Sequence, residues 1–566
     1  MFQRQFPVLY REFLFRMVDL EIIANRGDLT KLLGQFGAFL GAISFMVGAS
    51  AVRLLYVEGT PSDIFAQAWP MVHFLIATTM LMTGLFAVLS WDSAFPDARD
   101  VMVLAPLPVH FRTIFLAKIA ALGTSLALVV AAVSAFAGVT YPLILGYIQD
   151  GWLAPWRMLA AYWVTMAAAG LFALCGVLGL HGLLAQFLSR RLYLKVSAVL
   201  QLALFCGLLS VYFLQPPLAG PTAMADAGNH RLLEWLPSYW FLALFLKLSG
   251  ELPSSAAWLA SRAGAGLGLA FATAATSMLL AYFRTLRRIV EEPDLVPNAT
   301  QGWQWPRWGG TLKHAMLLFS ARTILRSRQH RVILALYLGI GLAISLAGAR
   351  AMLYRRAAHP WNHLDGPLLM ASVIMLCFSV LGARVVFAMP IALRANWIFR
   401  VTRVRGTLRY LDAAHSTIAT VAVIPVWCGS AVLFLAAWPW DYALQHLLVL
   451  AMLGVIFADV CAKGFEKIPF TCSYLPGKAN IHVSAAAFAI ALIAITDIFV
   501  DVERRTLRGD GSGYLKLLLF LAALAIWARR RRMKAAAELP DLRFDEVPAK
   551  DIHALELYRD GRSVAS

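Results

Sequence analysis

Charge is the scarcest commodity in this sequence. Only 14% of its 566 residues are Asp, Glu, Lys or Arg, while 60% are apolar. An ordinary soluble domain runs nearer a quarter charged and half apolar. Length alone would suggest three or four soluble domains of roughly 150 residues each, but so much apolar surface cannot be hidden in compact soluble domains. Thirty-four Phe and 17 Trp exclude a disordered chain as well. Cysteine is also sparse: six, at 175, 206, 377, 428, 461 and 472, with no CxxC pair. Neither a zinc site nor a disulfide framework is indicated. No G-x-x-x-x-G-K-[ST] occurs, and the one Gly-Lys pair, Gly477-Lys478, is followed by Ala479. The chain therefore has no loop to cradle a nucleoside triphosphate. G-x-S-x-G and H-E-x-x-H are missing too, which removes the usual hydrolase and metalloprotease signatures. The first thirty residues lack the uninterrupted apolar core of a signal peptide.

What is present reads as an all-α polytopic membrane protein. A helix needs about 20 apolar residues to cross the hydrocarbon. Twelve segments meet or approach that length: 32–52, 69–89, 113–137, 158–185, 194–214 and 255–283, then 332–349, 367–388, 413–437, 443–462, 482–501 and 514–528. The first three of the second set follow the first three of the first set by about 300 residues, so the spans form two parallel six-helix halves. The resulting division is 1–290 for the first half, 291–310 for a linker rich in Pro and Gly, 311–528 for the second half, and 529–566 for a basic tail. Each half opens with an amphipathic segment suited to the membrane interface. Phe6, Leu9, Phe13, Met17 and Leu20 recur at helical spacing in one, and Leu312, Met316, Phe319 and Ile324 in the other.

The 50 basic residues outnumber the 32 acidic ones, for a net charge of +18. Their placement argues for the positive-inside rule rather than for nucleic acid. Arg190, Arg191, Arg284, Arg287, Arg400, Arg403 and the run Arg529–Arg532 share one face, which puts both termini in the cytoplasm. Arg504, Arg505 and Arg508 are the main exceptions. Ionisable residues inside spans mark pathways; here they are His73, His181, Arg384, Asp459 and Asp497, mostly near span ends. A proton- or sodium-driven transporter would be expected to carry more acidic groups at mid-depth, so the driving energy is expected from elsewhere. His359 and His363 lie four apart near Asp365, but Pro360 disfavours the helix that would aim both at a metal, and no metal is expected.

The loop between the second and third spans is the most informative. Asp97 and Asp100 precede Leu104, Pro106, Leu107, Pro108 and Val109, and Arg112 and Lys118 lead into the third span. Two prolines stiffen such a loop by fixing φ, three apolar side chains offer a contact, and flanking charges orient it. This run resembles the cytoplasmic coupling loop of type-2 ABC exporter permeases. Those have six spans, an N-terminal interfacial helix, a coupling helix between spans two and three, and a re-entrant hairpin before span six. Leu236 to Leu248 would supply that hairpin in the first half. In the second half the matching loop reads Asn396, Trp397, Ile398, Phe399 and Arg400, without the Leu-Pro-Val pattern, and the outer loop is too short for a hairpin.

The resemblance implies the permease subunit of an ATP-driven exporter in a bacterial cytoplasmic membrane. It implies contact with lipid and with a separate nucleotide-binding ATPase, in two copies, and ATP and Mg on that partner only. The chain itself would be no enzyme and hold no cofactor or metal. A major-facilitator-like secondary transporter and a polytopic lipid-handling enzyme are the alternatives. Against the former, the Gly-x-x-x-Asp-Arg-x-Gly-Arg pattern is missing; against the latter, no cluster of Asp, Glu and His marks one membrane face.

Overall fold

The structure is a computed structural model that describes residues 2–18, 29–91, 109–149, 151–188, 190–291, 311–353, 366–391, 396, 407–461, 468–471, 481–509 and 511–537. Most of these residues are helical, and no strand occurs among them. The principal helices are α1 Phe2–Val18, α2 Leu29–Ser50, α3 Pro61–Leu89, α4 Phe111–Ser134, α5 Ala137–Ile148, α6 Ala154–Phe187, α7 Arg190–Leu214 and α8 Pro237–Ser249. They continue with α9 Ala257–Glu291, α10 Thr311–Arg326, α11 Arg328–Leu353, α12 Gly366–Ala388, α13 Thr407–Ala437, α14 Trp440–Cys461, α15 Ile481–Arg508 and α16 Ser512–Ala537. Each of the twelve apolar segments read from the sequence overlaps a helix, and 113–137 runs past the end of α4 to the first residue of α5. Among the described residues, nine helices are long and apolar enough to cross a membrane: α3, α4, α6, α9, α11, α12, α13, α14 and α16. The chain is a multi-pass membrane protein.

The chain divides into two compact units, 1–304 with 331–358 and 305–330 with 359–566. The repeat in the sequence counts 332–349 as the opening span of the second half. In the structure Leu336, Leu342 and Ala343 of that helix pack instead with the first unit, against a core that includes Phe205 and Leu209.

The first unit is built around α8. Pro237 occupies its first turn, where the missing N–H costs nothing. Gly250 ends it at φ 82, with Glu251 N–H donating to Leu246 O at 2.9 Å, the left-handed close of a Schellman turn. At 13 residues it is too short to cross a bilayer. Yet Tyr239, Phe241, Leu242, Ala243, Phe245 and Leu246 are all buried, among side chains of α3, α6 and α9. The residues expected to form a hairpin before the sixth span, Leu236 to Leu248, lie in this one helix and at its N-cap. The α5 helix has no such announcement, since its residues read as span end and loop in the sequence. It folds back on α6 so tightly that a Cβ at Gly146 would run into the Pro155 backbone.

The two amphipathic segments form helices that pack along spans. Phe6, Leu9 and Phe13 of α1 lie against the core that contains Ala117 and Ala121 of α4. On α10, Met316, Ser320 and Ile324 turn inward, whereas Leu312 and Phe319 stay exposed. With Thr323 also buried, the inward face follows i, i+3 and i, i+4 spacing and leaves out two of the four apolar positions.

Truncating Phe241 to Ala would remove a ring with no exposed surface. Such deletions cost about 3–5 kcal/mol. The control is Trp235→Ala, which removes a larger ring from a site that is 84% exposed. The thermal unfolding midpoint of the Phe241→Ala protein should fall well below that of the control, which should stay near wild type.

Candidate functional site

The sequence singles out the loop between α3 and α4. Of its residues, Asp97, Asp100, Leu104, Pro106, Leu107 and Pro108 lie outside the described residues, as do Trp397, Ile398, Phe399 and Arg400 of the second loop and the His359, His363 and Asp365 group. The two feet of the first loop are described. At one foot, Trp91 is fully buried and stacks on His181 with ring centroids 4.1 Å apart. His181 in turn bonds the Tyr193 hydroxyl, and Gln201 Nε2 donates to Val88 O at 2.7 Å. The end of α3 is thereby clamped to α6 and α7. At the other foot Val109 is half-buried and Arg112 exposed.

Lys118 lies within α4, two turns past its start. Its side chain is buried, with Nζ 5.2 Å from the centre of the Phe13 ring, a cation–π contact. Further along the same two helices, the Tyr10 hydroxyl donates to Thr124 Oγ1 at 2.9 Å. These contacts fasten α1 to α4 directly after the loop. Asn396 also faces inward. It is 3% exposed, and its Nδ2 donates to Thr471 O at 2.6 Å. Beside it, Phe470 N–H donates to Phe387 O at 2.9 Å and Ile391 N–H to Phe470 O at 3.1 Å. The segment after α12 is thus pinned to the one after α14.

In the second unit a chain of charges does what Lys118 and Phe13 do in the first. Lys313 Nζ of α10 lies 2.7 Å from Asp412 Oδ2 of α13. Asp412 Oδ1 is 3.4 Å from a terminal nitrogen of Arg532, near the end of α16. Arg532 Nε is 2.9 Å from Asp459 Oδ1 of α14, and His415 Nε2 is 3.1 Å from the same oxygen. The Asp459 side chain is wholly buried and Arg532 is 9% exposed. The Asp459 contacts are close but poorly aligned as hydrogen bonds, so charge rather than direction holds them. Arg529, Arg530 and Arg531 of the same run remain exposed. Nearby, Arg384 Nε donates to Cys461 O at 2.9 Å.

Two further polar groups sit near the other ends of the helices. His73 Nε2 is 3.0 Å from Ser238 Oγ, which donates to Gln215 Oε1 at 3.0 Å. Because the hydroxyl proton goes to Gln215, the histidine donates through Nε2. Its ring stacks on Tyr239 at 4.0 Å, and the Tyr239 hydroxyl donates to Pro216 O. His73 is a satisfied core residue that orients α8. In the second unit, Ser372, His446 and Glu503 form a buried line. Glu503 escapes a reading of the sequence that closes the eleventh span at 501, whereas α15 runs to Arg508. The i, i+3 and i, i+4 pairs of Asp501 with Arg504 and Arg505, each 2.6 Å, are the signal that the helix continues. They also bring one carboxylate to two of the three arginines that run against the charge asymmetry.

Removing one partner of a buried ion pair strands the other, at about 3–5 kcal/mol. Arg532→Met should therefore lower the thermal midpoint of the detergent-purified protein sharply. Adding Asp459→Leu to it should restore much of the loss. An unchanged midpoint in the single variant would show that Asp459 is held by other means.

No known family model, no curated protein and no solved structure matches this chain.

Proposed function

We propose that the chain is the membrane-spanning permease of an ATP-driven exporter, with two six-span halves fused and both termini in the cytoplasm of a bacterial cell. The observation that carries this reading is the treatment of the two amphipathic helices. In each unit one of them is fastened to the span that follows a short polar loop: α1 to α4 through Phe13, Lys118, Tyr10 and Thr124, and α10 to α13 through Lys313 and Asp412. Feet clamped in this way would pass a push on the loop into the spans. That is the mechanical requirement for passing a partner's motion into the membrane. The buried α8 before α9 supports the same reading, as it lies where type-2 exporter permeases carry their re-entrant element.

In this reading ATP and Mg are bound by a separate ATPase, docked in two copies on the cytoplasmic loops. Leu104, Leu107 and Val109 provide the apolar contact, stiffened by Pro106 and Pro108 and oriented by Asp97, Asp100 and Arg112. The second unit offers Trp397, Ile398, Phe399 and Arg400. Lys118 and Asn396 serve from behind, by holding helix and loop in place. Transport and the choice of substrate then belong to the spans, and the chain performs no chemistry of its own on ATP.

The purified chain should neither bind nor hydrolyse ATP, since no phosphate-cradling loop is present. Gentle solubilisation from its native membrane should recover a second polypeptide with ATPase activity. Robust hydrolysis by the homogeneous chain would overturn the reading.

Replacing Leu107 with Asp would put an unpaired charge into the docking contact. Such a charge commonly costs several kcal/mol, and each 1.4 kcal/mol is about tenfold in affinity. Pull-down of the ATPase should fall by orders of magnitude while the amount of inserted protein stays constant. Ile398→Asp asks the same of the second unit. If Leu107→Asp retains full partner binding and transport, the loop is not the coupling element.

A further inference from the structure

One face of α16 changes chemistry abruptly along its length. From Leu515 to Trp527 its large outward side chains are apolar, Lys516 aside: Leu515, Leu519, Phe520, Ile526 and Trp527 are each more than half exposed. The same face continues at i, i+4 spacing from Ile526 to Arg530 and Lys534, and from Trp527 to Arg531. These three basic side chains are exposed, with Arg529 beside them and Met533 at the margin. The opposite face carries Leu517, Leu521, Ala528 and Arg532, all buried. Arg532 is the residue that reaches Asp459. Helix rotation therefore divides the tetrad, turning one arginine into the unit and three outward.

α16 is one of the helices long and apolar enough to cross a membrane. An outward face that is apolar for several turns and then basic marks the level where hydrocarbon gives way to headgroups. Trp527 stands at that level, and the guanidinium carbon of Arg531 lies 4.9 Å from the centre of its ring. Tryptophan suits this position because its ring is apolar and its N–H seeks a polar partner. Length points the same way. Lys516 and Arg530 are 14 residues apart, on the order of 21 Å along a helix, against a hydrocarbon thickness of about 30 Å. Both side chains must therefore stretch along the helix axis to bring their charges out of the hydrocarbon. An arginine that only just reaches the surface ends among phosphates rather than in bulk water. Its planar fork takes two phosphate oxygens at once.

Among the described residues no carboxylate answers these charges. α16 contains no Asp or Glu. The two carboxylates that it meets, Asp412 and Asp459, are engaged by Arg532 from the inward side.

We infer that Arg530, Arg531 and Lys534, with Trp527, form a docking surface for anionic phospholipid headgroups at the basic end of α16. A headgroup held there fixes the rotation of α16 about its axis, and with it the direction in which Arg532 points. The lipid contact outside and the contact to Asp459 inside are then two sides of one helix turn. The inference uses none of the loop residues and holds whichever partner docks on them.

The test uses the full-length protein in phosphatidylcholine nanodiscs containing equal amounts of either brominated phosphatidylcholine or brominated phosphatidylglycerol. Bromine quenches tryptophan on contact, and subtracting the signal of the Trp527→Phe protein isolates Trp527 among the 17 tryptophans. The expected result is stronger quenching by the anionic lipid, equivalent to about fivefold preference for each basic residue engaged and weakened by added salt. In the triple variant Arg530→Gln, Arg531→Gln, Lys534→Gln the preference should vanish while quenching by the neutral lipid stays. Should that variant not fold, the salt dependence of the wild type still decides. Equal quenching by the two lipids overturns the inference and leaves the arginines only their part in orienting the helix. A preference that survives in the triple variant overturns it too. Inorganic phosphate that perturbs Trp527 in neutral nanodiscs as strongly as phosphatidylglycerol does would assign the face to soluble anions instead. A preference that emerges only after deletion of residues 538–566 would assign it to the acidic segment containing Glu538 and Asp541. Leu107→Asp should leave the preference unchanged, which separates this outcome from that of the loop.

Discussion

Hydrocarbon offers no hydrogen bonds, so a polar group that enters it must bring its partner along. Much of the internal arrangement of this protein follows from that constraint. Buried hydroxyls return to their own helices, as Thr83 does to Thr79 O and Ser125 to Ala121 O. Groups that cannot be satisfied locally reach to another helix and so decide which helices meet. Gln201 ties α7 to α3, and His73 ties α3 to α8. Asp459 gathers α13, α14 and α16 around one carboxylate. Apolar packing alone would leave these helices free to slide, since lipid tails are as good a neighbour as leucine. A handful of polar contacts supplies the register.

The apolar runs are legible in the sequence because hydropathy reports the solvent directly. Whether a residue in a run faces lipid, a neighbour or an ionic partner leaves no such mark. Arg532 and its neighbours Arg529 to Arg531 form one basic tetrad in the sequence, yet only Arg532 turns inward, four residues after buried Ala528. Asn396 reads as part of an exposed contact and is instead an internal clamp, because its acceptor, Thr471, is 75 residues away. The α5 helix is hidden for a related reason: a fold-back against α6 rests on Gly146 being small beside Pro155, a fit with no periodic signature. Of the loop between α3 and α4, the sequence supplies the residues and the structure supplies the feet.

The two units solve similar problems with different chemistry. His73 and Ser372 stand 299 residues apart, the spacing at which the spans themselves recur. Each begins a buried polar line in its own unit. In the first, that line ends on the short helix α8 through Ser238 and Gln215. The second has only a few residues between α15 and α16, and its line runs instead through His446 to a carboxylate. The fastening of the amphipathic helices diverges in the same manner, an aromatic ring over a buried lysine in one unit and an open ion pair in the other.

The ionic chain at Asp459 also has a history within each molecule. Arg532 follows Asp459 by 73 residues. At synthesis rates of about 5–20 residues per second, the carboxylate is made roughly 4–15 s before its guanidinium partner. Through that interval α14 carries an acid whose strongest counter-charge does not yet exist, with His415 as the neighbour already made. The second unit therefore depends on a later helix: α16, made after α14, is the one that brings a guanidinium to the Asp459 carboxylate.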